Sequence, residues 1–212
     1  MKRKAVVAAL AALALVLGLA IGFSGCESKS DAKSSASAGD DIPSGYTKEG
    51  GEIVNGFVLP PYPDPKINDS TLLGIDSNNN GVRDDVKRWL IFKYKDDHRI
   101  VTHIGFQIGR AHQFMLANPN KPEEARKLIN GAQACNWYFK YDADEFGEPI
   151  LIDHSIATST AFKTAQLNTK ARIKAFFAYD KKLSGGVYRL PDLDDQKALC
   201  DFDVDALLKE QK

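Results

Sequence analysis

Asp76-Ser77-Asn78-Asn79-Asn80-Gly81-Val82-Arg83-Asp84-Asp85 is the stretch whose residue types and spacing state a chemistry. Counted from Asp76, side-chain oxygens stand at positions 1, 3, 5 and 9 (Asp76, Asn78, Asn80, Asp84), and glycine stands at 6. Oxygen ligands on alternate residues suit a chain curling around a hard cation, and Ca2+ takes about six to eight oxygens. Gly81 permits the sharp turn, and the Val82 carbonyl supplies the seventh position. The candidate metal ligands are therefore Asp76, Asn78, Asn80, Val82, Asp84 and Asp85, with Ca2+ as the cofactor.

This is the opening of an EF-hand-like loop, D-x-[DN]-x-[DN]-G. It departs from that pattern at position 12, where a bidentate glutamate is usual and this chain has Lys87. An ammonium only donates, so it cannot ligate. Asp85, a carboxylate from elsewhere or water would fill the gap. The competing reading is a polar turn, with Asp84 and Asp85 in the first turn of a helix where they favour its dipole.

The N-terminus gives an address. Met1-Lys2-Arg3-Lys4 is a basic start, and Ala5 to Ile21 is uncharged and almost wholly apolar. Phe23-Ser24-Gly25-Cys26 ends the run, with small residues directly before a cysteine. Residues 1–25 read as a lipoprotein signal peptide and Cys26 as the lipidated N-terminus of the mature chain, held by acyl chains at about 0.8 kcal/mol per buried methylene. An uncleaved membrane anchor or ordinary secretion are the alternatives. Residues 26–51 are rich in Ser, Ala, Gly, Asp and Lys and read as a flexible tether. Residues 52–212 are long enough for one domain with its own core. Without the signal, 25 basic side chains face 28 acidic ones. That balance and the lack of a basic patch argue against a nucleic-acid partner.

Three cysteines occur. With Cys26 assigned to lipid, Cys135 and Cys200 form an even pair in an exported chain and are expected as a disulfide, with two buried thiols as the alternative. Other catalytic signals are weak. His98, His103, His112 and His154 lack H-E-x-x-H spacing, and His103 and His112 fall on opposite helix faces. Asp142, Asp144, Glu145 and Glu148 read as a solvated acidic loop, and the acids between Asp192 and Asp205 as a possible source of the missing ligand.

The elements that must position the loop are helical. The fold class is mainly α: a single helical domain after an extended Pro-rich strap, Phe57 to Pro65, with one EF-hand-like loop. Apolar residues at helical spacing predict helices from near Arg83 to Tyr94, from an Asp97 cap through Met115, from Glu123 to Phe139, from Ser155 to Gln166 and from Asn168 or Thr169 to Leu183. Short helices are expected over Asp192 to Leu199 and Val204 to Lys209. Gly105 and Gly109, four apart, allow another element to approach their helix closely.

Gly74 to Val86, with Asn168-Thr169 through Leu183-Ser184-Gly185-Gly186-Val187-Tyr188, resembles a family of uncharacterised bacterial exported proteins over about Leu59 to Leu207. The loop alone is similar to the D-x-N-x-N-G-x-x-D units of thrombospondin type 3 repeats. The resemblance implies a shared fold and no particular activity. The expected protein is a lipid-anchored binding or structural module of the bacterial cell envelope, on the inner or outer membrane, facing the periplasm or the cell surface. Its partners would be the membrane and an envelope protein. The alternative is an envelope hydrolase whose acidic site assembles only in three dimensions.

Overall fold

A computed structural model describes residues 50–144, 147, 152, 155–189 and 191–210. The expected signal peptide, Cys26 and nearly all of the expected tether lie outside these residues, as do Glu145, Glu148 and His154.

The described chain is mainly helical. It opens with an element the apolar pattern did not predict, a minimal antiparallel hairpin of β1 (Ile53–Val54) and β2 (Phe57–Val58). The signal was present in Asn55-Gly56, both at positive φ, 48° and 76°, which suits a two-residue hairpin turn. The expected strap follows and packs on the domain, with Leu59, Pro60 and Pro63 buried. It stops earlier than expected, because Pro65 opens α1 (Pro65–Ser70). Proline suits a first helical position, and Asp64 caps the turn by accepting from the Lys66 N–H at 2.8 Å.

The Asp76 loop feeds α2 (Asp84–Lys93), which leads to α3 (Arg99–Ala117). His98, rather than Asp97, caps α3, its Nδ1 accepting from the Ile100 N–H at 3.1 Å. Pro122 starts α4 (Pro122–Trp137), which ends in a wider π-helical turn, Tyr138–Asp142. The helix expected from Ser155 is broken. A 3-10 turn, Ile156–Thr158, precedes α5 (Thr160–Gln166), because the Ser159 hydroxyl accepts from the Phe162 N–H and so caps a new start. Thr169 caps α6 (Lys170–Leu183) in the same way. Asp192 to Leu199 forms two 3-10 turns instead of one helix, and α7 (Val204–Lys209) closes the described chain.

α3 is the central element, and its glycines bring the others in. A Cβ at Gly105 would lie 2.6 Å from Leu90 of α2, and one at Gly109 would lie 3.3 Å from Val82 of the loop. Leu90, Ile91, Ile100, Ile104 and Ile108 form the main core with Phe139 and Phe162. Met115, Leu116, Ala125, Tyr179 and Leu183 make a second, smaller core between α3, α4 and α6. Cys135 and Cys200 are joined as a disulfide across 65 residues, tying α4 to the C-terminal segment. No helix among the described residues is long and apolar enough to cross a membrane.

Candidate metal loop and the groove beside it

Asp76 organises the loop by gathering its N–H groups. One carboxylate oxygen accepts from Asn80 at 3.2 Å and the other from Gly81 at 2.7 Å. The Asn80 side-chain oxygen accepts from Val82 at 2.9 Å, and Asn79 and Gly81 take the left-handed φ values, 51° and 80°, that the curl requires. Val82 anchors the exit by burying its side chain against Gly109.

Asp84 closes the loop from the first turn of α2. Oδ2 accepts from the Ser77 N–H at 3.1 Å, while Oδ1 is buried and meets no hydrogen-bond donor. Burial pushes the Asp84 carboxyl up, bonds from Ser77 pull it back, and the charge of Asp76 adds to the rise. A buried oxygen without a donor costs about 1–3 kcal/mol unless something supplies a positive partner. Asn78 is exposed at the loop surface. Asp76, Asn80 and Asp84 thus each hold backbone N–H groups of the same short loop. Among the described residues no three His, Cys, Asp or Glu side chains form a metal-holding group. A cation here would use two carboxylates and complete its shell with amide, carbonyl and water oxygens, which is chemistry Ca2+ accepts.

Asp85 is placed elsewhere. Its carboxylate takes Nε and Nη2 of Arg83 and the side-chain N–H of Asn68, so it is not turned to the loop as a stand-in for the twelfth ligand. The acidic C-terminal residues do not supply that ligand either. Asp201 accepts from Arg110 at 2.8 and 2.6 Å, Asp203 caps α7, and Asp205 pairs with Lys197.

The residues that fix the loop were not singled out from the sequence. Arg83 and Arg172 are fully buried. Beyond Asp85, Arg83 donates to the Ala165 and Gln166 carbonyls and the Asn168 side chain at 2.8, 3.2 and 3.2 Å. Arg172 donates to the Leu72, Thr71 and Asn68 carbonyls and to Asp69, all between 2.6 and 3.2 Å. Asn68 in turn accepts from the Ile75 N–H at 2.9 Å. This pair of guanidinium groups therefore holds residues 68–83 against residues 165–172. Gly74 is the point where they pass, since a Cβ there would lie 2.3 Å from Arg83 and 2.9 Å from Arg172.

An open groove of about 770 Å3 lies between α3 and α4, with Gly81 of the loop on its edge. Ala111, Phe114, Leu128 and Leu199 line it, and the Arg110–Asp201 ion pair crosses its rim. Two of the histidines, His103 and His112, pack among aromatic rings. His112 packs on Phe162 and Phe176, and His103 sits among Phe57, Phe106 and Phe202. Comparison of the chain with protein-family models, curated proteins and solved structures yields no match.

Proposed function

We propose that this chain is a lipid-anchored protein of the bacterial cell envelope, tethered through Cys26, whose helical domain is a binding or structural module clipped by calcium in the Asp76 loop. It belongs with the exported proteins that share its Gly74-to-Val86 stretch. The observation that supports the calcium reading is the Asp84 Oδ1 atom, buried at the end of the Asp76 loop and given no donor. Calcium bound by Asp76, Asn78, Asn80, Asp84 and the Val82 carbonyl supplies that missing positive partner. The clip ties the start of α2 to the segment that Arg83 and Arg172 lock against α5 and α6.

Two carboxylates and no bidentate glutamate put the affinity near ~10⁻⁴ M, in the range of extracellular modules. Because the ion binds the folded loop alone, stability rises by about 1.4 kcal/mol when free calcium is ten times Kd. Thermal melts in calcium, magnesium or chelator test this. Calcium should raise Tm, magnesium should do so poorly, and Asp76→Ala should remove the shift. A wild-type melt that is identical in chelator and in several millimolar calcium would reduce the loop to a turn.

A further inference from the structure

α6 carries two different faces. Its inner face holds Arg172, Tyr179 and Leu183, all buried, and Phe176, which packs on the smaller core. On the opposite side Lys170, Ile173, Lys174, Phe177 and Lys181 recur three or four residues apart and so form one stripe. All five are exposed, Ile173 at 41% and Phe177 at 64%. The Phe177 ring is braced edge-on against Phe176, with ring centres 5.9 Å apart. Among the described residues none of the three lysines has an ion-pair partner. The helix contains one acid, Asp180, at the edge of the stripe. Lys170 is the first residue of α6, where the helix dipole favours an acid, so that charge works against the helix itself. Neither the core nor the helix accounts for cations and large apolar side chains sharing this outer stripe.

We infer that the outer stripe of α6 is a membrane-contact face, which docks the domain on the anionic headgroups of the bilayer to which the chain is tethered. This rests on the lipid-anchored reading proposed above and adds to it the surface that meets the lipid. An interfacial helix places phenylalanine and aliphatic side chains at the boundary of headgroups and acyl chains, with lysines around them. The lysine stems lie along that boundary while their ammonium groups reach the phosphates. Phe177 and Ile173 supply the apolar part, and Lys170, Lys174 and Lys181 supply charge complementary to an anionic leaflet. Nucleic-acid binding commonly draws on six to ten phosphate contacts, more than three lysines provide. A small free anion has no use for two large apolar side chains standing among its cations. Residues 27–49 separate Cys26 from the first described residue, enough chain to span up to roughly 80 Å. That reach lets any face of the domain meet the bilayer, and the stripe selects which one does.

The test is amine-reactive footprinting of the full chain on vesicles, read by mass spectrometry at each lysine. Vesicles of phosphatidylcholine alone are compared with vesicles that also contain phosphatidylglycerol, and flotation reports attachment separately. On the anionic vesicles Lys170, Lys174 and Lys181 should lose reactivity, while Lys93 of α2 and Lys209 of α7, both exposed, keep theirs. On neutral vesicles all of these lysines should stay reactive. Each lysine strengthens attraction to an anionic surface roughly five-fold. Lys174→Glu, a change of two charges, should therefore weaken docking roughly 20-fold and restore reactivity at Lys170 and Lys181. Phe177→Ser should restore it too, with no change in charge. Melts establish that both variants are folded; should either fail to fold, loss of the protection at high salt in wild type decides instead. Flotation without selective protection of α6 overturns the inference and leaves the lipid anchor standing. Flotation on anionic vesicles alone, lost in Lys174→Glu, supports the inference and overturns the anchor. No flotation on either vesicle rejects both. Protection of the stripe in detergent without vesicles means that a protein surface covers it, and overturns the inference.

Discussion

His112 shows how a single side chain couples this fold to pH. It is 4% exposed, packed between Phe162 and Phe176, and burial together with the charge of Lys163 lowers its pKa to about 4. An unfolded histidine titrates near 6.5, so the folded state disfavours the proton that the unfolded chain would take up. The contribution of His112 is fully present above about pH 6.5 and is lost as pH falls toward 4. At pH 5 the loss reaches about 2 kcal/mol. Melts at pH 7.5 and 5 should show wild type losing more stability than His112→Gln. Parallel losses in the two proteins would mean that the ring is solvated rather than held neutral. The same logic separates the arginines from ordinary surface cations. Arg83 and Arg172 are buried with their hydrogen bonds made, so removing either partner leaves a charge stranded, a change costing about 3–5 kcal/mol in comparable sites.

Among the elements, α3 determines how closely the loop and α2 approach the core. Gly105 and Gly109 face those two neighbours, while Gly131 of α4 meets nothing within 4 Å of an added Cβ. Alanine favours a helix interior over glycine by about 1 kcal/mol wherever space allows. Gly131→Ala is therefore expected to stabilise the protein by about 0.5–1 kcal/mol. Gly105→Ala forces Leu90 aside, and overpacking of this kind costs about 1–3 kcal/mol. Denaturant melts of the pair should move in opposite directions. Matching shifts would show that α2 does not depend on the Gly105 contact. Caps explain the element boundaries in the same physical terms. Ser159, Thr169 and Asp203 each satisfy an orphan N–H at the first turn of a helix, and the chain restarts a helix where that side chain stands.

For the whole domain, the Cys135–Cys200 disulfide is the covalent restraint that keeps the C-terminal segment on α3 and α4. It closes a loop of 65 residues, which on the chain-entropy model is worth roughly 4 kcal/mol. The restrained segment also supplies Leu199 and Asp201 to the groove wall, and Gln107 of α3 donates to the Leu199 carbonyl at 2.7 Å. Reduction should lower Tm by several degrees and free two alkylatable thiols. Mass spectrometry of unreduced peptides should find Cys135 and Cys200 linked. Separate peptides under non-reducing conditions would contradict the bond.

The sequence by itself determined what depends on near neighbours along the chain. Helical class, the Gly105/Gly109 contact face and a helix start at Asn168 or Thr169 follow from spacing that a local reading detects, and the structure puts the cap at Thr169. Asp76, Asn80 and Asp84 stand on one short loop because the sequence places them within nine residues. The Cys135–Cys200 pair was legible because only two cysteines remained once Cys26 was assigned. The Asn55-Gly56 hairpin and the Pro65 helix start were legible in principle, since both are two-residue signals, but each was hidden beside a longer proline pattern. Tertiary structure alone decided the rest. Arg83 and Arg172 look like surface cations in sequence; apart from the near neighbours Asp85 and Asn168, their partners stand 82 to 104 residues away, so their burial depends on how α1, α5 and α6 pack. Asp85 reads as a metal ligand by adjacency and becomes the partner of Arg83, because a buried guanidinium requires a carboxylate at that point. The place of Lys87 over the Phe106 ring was likewise set by the docking of α2 on α3, which no spacing rule contains.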